Sequence, residues 1–294
     1  MEPLVTLARA SAGGEPGRAL TVPAPAKLNL FLHVTGRRPD GLHLLETLFV
    51  ALDVGDTIRL VLRDDGAIVR AADLAGVAPA DDLAVRAAAA LKRETGSAFG
   101  VDIAVDKRLP LGGGLGGGSS DAASVLLGLN RLWRLALPRE ELLRIGVCLG
   151  ADVPFFIGGE PSVARGIGER LKPVSMPPLW VAVIAPGVPV PTATIFAAPE
   201  LTRDDASAKI DVFSEGYGRN TLEPVAAERF PAVAVALRRL RERSAGARMT
   251  GSGSCVFAPF ASEGEAHAAV EARPPAMRGF VARTLARHPL AAFA

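Results

Sequence analysis

Apolar and polar positions alternate near the start of the chain. Leu28, Leu30, Leu32 and Val34 are interleaved with Lys27, Asn29, Phe31 and His33. A period of two predicts a strand over Thr21 to Thr35 with one aliphatic face. Lys27 and Asn29 lie two residues apart, so they share the other face, which reads as polar and exposed. Arg37-Arg38-Pro39-Asp40-Gly41 is a turn. The mostly apolar stretch Leu42 to Asp53 follows and includes His43, Glu46 and Thr47. Asp56 to Leu62 and Ala67 to Ala71 read as a hairpin closed by Asp64-Asp65-Gly66. Leu83 to Arg93 has helical spacing, begins after Asp81-Asp82 and ends before Gly96. Val101 to Asp106 alternates again as a strand. From Ala122 the period changes, and Ala122, Val125, Leu126, Leu129, Leu132 and Trp133 form one stripe of an amphipathic helix.

The rest of the chain continues this mixture. Pro138 opens a helix with Glu140 and Glu141 in its first turn, where the dipole favours them, and Gly150 stops it. Asp152 then stands in a short loop ahead of an apolar strand beginning near Val153. It is a turn former or a placed carboxylate, and the local pattern favours the turn. Arg165 to Pro178, rich in Gly and Pro, is the expected domain boundary. Leu179 to Ala185 reads as a strand, and Pro186 to Thr192 as an extended loop, because its three prolines forbid a helix. Ala226 to Arg243 is largely helical, with Pro231 near a start. Cys255 to Ala258 is a strand, Glu263 to Ala272 a helix and Gly279 to Thr284 a last strand. The fold class is therefore α/β or α+β, and the strand order is not legible.

Between the strand at Val101 and the helix at Ala122 lies Pro110-Leu111-Gly112-Gly113-Gly114-Leu115-Gly116-Gly117-Gly118-Ser119-Ser120-Asp121, with six glycines in seven positions. Glycine lets a ligand touch the backbone, and the first N–H groups of a helix have no internal partners. Strand, glycine loop and helix in this order make an anion site suited to phosphate; the alternative is a flexible linker. Ser119 or Ser120 either caps the helix or donates to a phosphate. The pattern G-x-x-x-x-G-K-[ST] fails, because no lysine precedes Ser119. G-x-G-x-x-G is met by Gly112, Gly114 and Gly117, which leaves a nicotinamide oxidoreductase open. The acidic residue such an enzyme needs after a second strand is missing, since Glu140 and Glu141 open a helix.

Composition narrows the field only slightly. The chain has 294 residues, room for two cores. Its 33 basic and 31 acidic side chains nearly balance, which gives no case for nucleic-acid binding. Arg238, Arg239, Arg241 and Arg243 read as a solvated helix face. Cys148 and Cys255 are too few for a disulfide framework or a zinc site, and both read as small buried apolar groups. No apolar run reaches the ~18 residues of a membrane span, and Glu2 does not suit a signal peptide. A cytoplasmic protein is expected, with a loose tail over residues 1–18.

Three segments together resemble the motifs of the GHMP small-molecule kinases: Pro25-Ala26-Lys27-Leu28-Asn29-Leu30-Phe31-Leu32, Leu111 to Ser120, and Thr250-Gly251-Ser252-Gly253-Ser254-Cys255. Pro39-Asp40-Gly41-Leu42-His43 and Leu149-Gly150-Ala151-Asp152-Val153-Pro154-Phe155-Phe156 look like the branch whose substrate is a cytidine diphosphate-linked methylerythritol of the non-mevalonate isoprenoid route. The likeness runs from Pro25 to the C-terminus. It implies an N-terminal ATP-binding and catalytic domain over 19–170 and a smaller substrate-binding domain over 171–294. It also implies roles. Asp152 is the base and Lys27 its catalytic partner. Lys107, Pro110, Leu111, Gly112, Gly113, Gly114, Leu115, Gly116, Gly117, Gly118, Ser119 and Ser120 hold ATP. Asn29, His43, Thr192, Phe196, Gly251, Ser252 and Gly253 hold the substrate, with His43 and Phe196 on the cytosine. Mg²⁺ accompanies ATP, its ligands unassigned beyond Ser119 or Ser120. The expected partner is this small molecule, not a nucleic acid or a membrane. One departure stands out: Leu42 occupies a position where the family usually has an aromatic. A sister kinase acting on homoserine, mevalonate or a sugar is the nearest alternative. A binding module without catalysis is another.

Overall fold

The computed structural model describes residues 18–74, 76–207 and 218–294. The expected tail, apart from Arg18, lies outside them. In chain order the elements are β1 (Ala19–Arg37), β2 (His43–Arg63), β3 (Ile68–Arg70), α1 (Leu83–Thr95), β4 (Gly100–Asp106), α2 (Gly117–Leu132), α3 (Arg139–Val147), α4 (Val153–Gly158), β5 (Ser162–Gly166), β6 (Arg170–Pro173) and β7 (Trp180–Ala185). There follow α5 (Thr192–Phe196), α6 (Glu223–Arg229), α7 (Pro231–Arg241), β8 (Arg248–Met249), β9 (Val256–Phe260), α8 (Glu263–Glu271) and β10 (Arg278–Leu285), then a 3₁₀ turn at Ala291–Phe293. Helices and strands mix as expected of an α/β or α+β chain.

The long strand β2 is the hub. It pairs antiparallel with β1 along most of its length, with β5 through Leu45 to Phe49, and with β4 through Thr57 to Arg63. Ala51 and Leu52 also pair with β10, which joins β7, β9 and β8 to the same sheet in the order β3-β4-β2-β10-β7-β9-β8. The expected hairpin after Asp56 does not form. β3 pairs parallel with β4 instead of folding back on β2, because β4 already occupies the edge of β2. Arg165 to Pro178, the expected domain boundary, contains the end of β5 and all of β6, which pair with each other.

Among the described residues three apolar clusters fill the space. One lies between the sheet and α1 to α4, one among α5 to α8 and strands β7 to β9, and one behind the site, joining Leu28 and Leu48 to Val183 and Phe257. β1 is therefore covered on both sides, and Lys27 and Asn29 are 3% and 1% exposed. The sequence expectation of an open polar face is corrected: a second apolar layer sits where water was expected. α2 is buried around most of its girth, as a helix inside a layer must be. The two halves of the expected helix Ala226 to Arg243 are α6 and α7, and Arg238, Arg239, Arg241 and Arg243 are exposed as expected. Cys255 is buried, but Cys148 is exposed at the end of α3, against expectation.

The last residues return to brace α4. The His288 backbone N–H donates to the Gly159 carbonyl at 2.6 Å, and its Nδ1 accepts from Leu290 N–H at 3.1 Å. Burial, helped by the nearby Arg139, drives the His288 pKa down to about 3. The ring is thus neutral in the fold, while an unfolded histidine takes a proton near about 6.5. The unfolded state then binds the extra proton, so stability is full above that pH and falls as pH drops toward 3. The expected loss from this group between pH 6.5 and 5 is about 2 kcal/mol. Urea midpoints at the two pH values check this, and His288→Gln should flatten the difference.

Candidate active site

The site grows from Lys27. Its side chain crosses the interior and ends with Nζ 2.5 Å from Asn29 Oδ1, 3.3 Å from Asp152 Oδ2 and 5.1 Å from the centre of the Phe49 ring. An ammonium in low dielectric is tolerable only with such partners. Register shifts in the β1–β2 ladder fall between Pro25 and Lys27 and between Asn29 and Leu32, and bulges of this kind re-aim side chains. Asn29 is held in one orientation. Its Nδ2 donates to Thr47 Oγ1 at 2.8 Å, and that hydroxyl donates to the Phe31 carbonyl. Its Oδ1 is left to accept from Lys27. Asn29 N–H donates to Thr250 Oγ1 at 3.0 Å, tying the C-terminal motif to β1.

Asp152 immediately precedes α4, and Pro154 sits in the first turn of that helix. The expected strand at this point is a helix. Pro154 has no N–H to lose there, so the apolar run Val153 to Ile157 buries itself as a helical turn. Asp152 makes no capping hydrogen bond. Both of its readings are met: Asp152 lies in a turn in which Val153 N–H donates to the Gly150 carbonyl at 3.2 Å, and its carboxylate faces Lys27 across 125 residues of chain.

The glycine loop runs over this pair. Gly114 and Gly116 have φ of +76° and +71°, a region that non-glycine residues seldom enter. A Cβ on Gly114 would lie 2.2 Å from the Thr250 carbonyl oxygen, and one on Gly116 would lie 2.8 Å from Lys27 Cγ. Lys27 N–H donates to the Leu115 carbonyl at 2.9 Å and Cys255 N–H to the Gly113 carbonyl at 3.0 Å, so the loop is stitched to both halves of the molecule. This sets the linker reading aside. α2 starts at Gly117 with Gly116 as its N-cap, five residues before the apolar stripe. Ser119 and Ser120 are therefore inside the helix and neither caps it. Ser120 N–H makes the first intrahelical bond, to the Gly116 carbonyl at 2.9 Å, which leaves the N–H groups of Gly117 to Ser119 ahead of it as the positive end of the helix.

Beneath the loop is a buried charge cluster that the sequence reading missed. Asp56 Oδ1 accepts from the N–H groups of Arg108 at 2.6 Å and Leu109 at 2.8 Å. Lys107 Nζ is 2.6 Å from both Asp56 Oδ2 and Asp121 Oδ2. The cluster clasps the loop at its start and at its exit into α2. Burial alone would lower the Lys107 pKa, but Asp121 and Asp56 outweigh it and hold the ammonium above the ordinary lysine range. Two carboxylates share that one cation, and burial pushes Asp121 up to about 7. Ser120 Oγ and Asp121 Oδ1 are buried without a hydrogen-bond partner among the described residues.

These parts line one cavity of about 360 Å³. Lys27, Asn29, Lys107, Pro110 to Ser119, Asp152, Thr192, Phe196 and Gly251 to Gly253 all face it. Ser120 is fully buried and does not. A neighbouring cavity of about 400 Å³ is lined by Leu42, His43 and Ala193, and shares Leu45, Ile167 and Phe196 with the first. The rings of His43 and Phe196 are 4.9 Å apart, and Thr192 Oγ1 lies 2.7 Å from Ser252 Oγ. Leu42 is half exposed at the rim. Thr47 and Thr250, which hold Asn29, carried no local signal beyond being threonines near a motif. The G-x-G-x-x-G match lacks its βαβ unit: α2 leads into α3 and α4, and the next strand, β5, pairs antiparallel with β2. Among the described residues no group of three or more His, Cys, Asp or Glu could hold a metal ion, and no helix is long and apolar enough to cross a membrane.

Comparison with known proteins gives the family. Residues 82–160 match the family model for the GHMP kinases N-terminal domain, and residues 197–276 match that for the GHMP kinases C-terminal domain. The chain is 56% identical over 268 residues to a 4-diphosphocytidyl-2-C-methyl-D-erythritol kinase of Thiobacillus denitrificans, covering 91% of this chain and 96% of that one. It is 55% identical to the protein of the same name from Aromatoleum aromaticum, covering 93% and 96%. A crystal structure of 4-(cytidine 5'-diphospho)-2C-methyl-D-erythritol kinase superposes with a TM-score of 0.77 at 36% identity, over 90% of this chain and 98% of that one. A homoserine kinase from Cytophaga hutchinsonii shares the fold, with a TM-score of 0.69 at 17% identity over 95% and 98%.

The clasp predicts a stability cost. Asp56→Asn removes one carboxylate from a buried ion pair and faces an amide toward the Lys107 ammonium. The expected loss is about 3 kcal/mol, measured by urea unfolding at pH 7.

Proposed function

The chain belongs to the GHMP kinases, and on that premise we propose that it transfers the γ-phosphoryl of ATP to the 2-hydroxyl of 4-diphosphocytidyl-2-C-methyl-D-erythritol, releasing ADP. The observation that carries the reading is the adjacency of the two cavities, which have Leu45, Ile167 and Phe196 as shared wall. The Lys27–Asp152 pair and the glycine loop share one of them, and Phe196 leads from it to the His43 ring in the other.

In this reading the main-chain N–H groups from Leu111 to Ser119 bind the ATP phosphates, as helix N-termini and glycine loops do. The cradle fits such a group, because a Cβ at Gly114 or Gly116 would collide with the walls that form it. Asp152 accepts a hydrogen bond from the substrate hydroxyl and orients its oxygen for attack. It takes the proton late, when the forming P–O bond has made the hydroxyl acidic. The Lys27 side chain stands beside the reacting centre and offsets negative charge gathering on the oxygens in flight. Asn29, fixed by Thr47 and Thr250, holds Lys27 to that task. Phosphoryl transfer needs positioning and charge neutralisation above all, and these side chains supply both. Mg²⁺ belongs to the reading as the partner of ATP, where it neutralises phosphate charge. Among the described residues no group of three or more His, Cys, Asp or Glu could hold it, so it would be held mainly by phosphates and water, with Ser119 the serine of the loop that lines the cavity. His43 and Phe196 bind the cytosine; Thr192 and Gly251 to Gly253 border the rest of the substrate. Lys107, committed to two carboxylates, serves the loop. The reading includes a cytoplasmic location, where ATP is available and Cys148 and Cys255 remain thiols.

ADP release from the purified protein tests this directly. Turnover is expected with the cytidyl substrate and none of comparable rate with homoserine, mevalonate or galactose; the reverse pattern would refute the assignment. Asp152→Asn should cut kcat by about 10²- to 10⁴-fold while ATP affinity, measured by calorimetry, holds. Phe196→Ala should raise KM for the cytidyl substrate much more than KM for ATP, as read from steady-state kinetics.

A further inference from the structure

The side chain that ties His43 to Phe196 is Arg203, which the sequence reading did not single out. Its Nε donates to His43 Nε2 at 3.1 Å. Its Nη1 donates to the Leu201 carbonyl at 2.8 Å, and its Nη2 to the carbonyls of Phe196 at 3.1 Å and Ala198 at 2.7 Å. The Phe196 carbonyl is at the end of α5, where a helix has acceptors without internal donors, and Ala198 lies in the turn just beyond it, its carbonyl also accepting from Leu201 N–H at 3.2 Å. One guanidinium therefore holds the histidine ring and the backbone that carries the phenylalanine ring.

A guanidinium has donors only and does not deprotonate in a protein. His43 Nε2 must then be the acceptor, and the proton of the neutral ring must sit on Nδ1. We infer that Arg203 is a positioning residue for base recognition, locking His43, which lines the second cavity, in the Nδ1–H tautomer so that the ring offers a fixed hydrogen-bond donor at Nδ1. Burial lowers the His43 pKa, and the charges of Arg203 and Arg37 lower it further, so the ring stays neutral and the tautomer persists. The ring spacing supports an edge role over a stacking role. A base held between two rings needs them roughly 7 Å apart, two contact distances of about 3.5 Å, and these rings are 4.9 Å apart. The ligand class that suits a fixed donor is a pyrimidine presenting acceptors, such as the O2 and N3 of cytosine. A wrong tautomer would set a lone pair against those acceptors.

This inference rests on the cytidyl reading for its ligand, but not for its tautomer. Nitrogen-15 NMR of the histidines in the full-length protein without ligand should show a protonated Nδ1 and an unprotonated Nε2 for His43. A protonated Nε2 would overturn the inference whatever the substrate proves to be. In kinetics, Arg203→Gln should raise KM for the cytidyl substrate by about tenfold, with KM for ATP moving less than twofold. In a His43→Ala background the same substitution should change KM for the cytidyl substrate less than twofold, because the residue it acts through is gone. An undiminished effect there would show that Arg203 acts only through the backbone at Phe196. If Arg203→Gln does not fold, the spectrum of the parent protein still decides. Absence of any turnover of the cytidyl substrate by the parent would strike the functional reading and leave the tautomer standing.

Discussion

A buried ammonium is the constraint on which this site depends. Lys27 sits 3% exposed in the middle of a strand covered on both faces, and a charge removed from water must find compensation within reach. Asn29 stands two residues away in the same strand, while Phe49 comes from β2 and Asp152 from the start of α4; the glycine loop is tied to the Lys27 backbone through the Leu115 carbonyl. The requirement that keeps Lys27 folded inside is also what presents it, with Asp152, to the cavity. Stability and chemistry draw on one set of contacts.

The loop above that charge is not held by its own sequence. Glycines make it pliable, and its shape comes from what grips it. Asp56 takes the N–H groups of Arg108 and Leu109 just ahead of it, Lys107 and Asp121 grip its exit, and Thr250 and Cys255 stitch its middle to the C-terminal half. Such preorganisation matters for phosphate, because a cradle that had to reorder on binding would lose affinity to entropy. Both grips trace back to the same sheet: β2 supplies Asp56, while the pairing of Ala51 and Leu52 with β10 brings β9 and Cys255 alongside. The cavity lies at the seam between the halves, where binding sites commonly lie.

Much of this was legible in the chain itself, and the reason is range. Whether a residue pairs with a loop glycine, caps a helix or alternates in a strand is decided within a few positions. The strand at Val101, the glycine loop, the helix after it, α1 with its Asp82 cap and left-handed Gly96, and the extended prolines before Thr192 all followed from such local rules. The motif resemblance added the pairing of Lys27 with Asp152, which no local rule contains. What failed were statements about burial and partners. Lys27 and Asn29 looked solvated because one strand cannot report the layer on its second face. β3 looked like half of a hairpin because the sequence does not reveal that β4 fills the place beside β2. Ser119 and Ser120 looked like caps because glycine was not credited with starting a helix, yet at Gly116 it does. Cys148 looked buried because its type usually is. The sequence by itself determined the local elements and the conformational freedom of the loop. Only the tertiary structure decided which charges are buried, which carboxylate meets which cation and which tautomer His43 keeps, since each depends on groups tens to hundreds of residues away that only packing brings together.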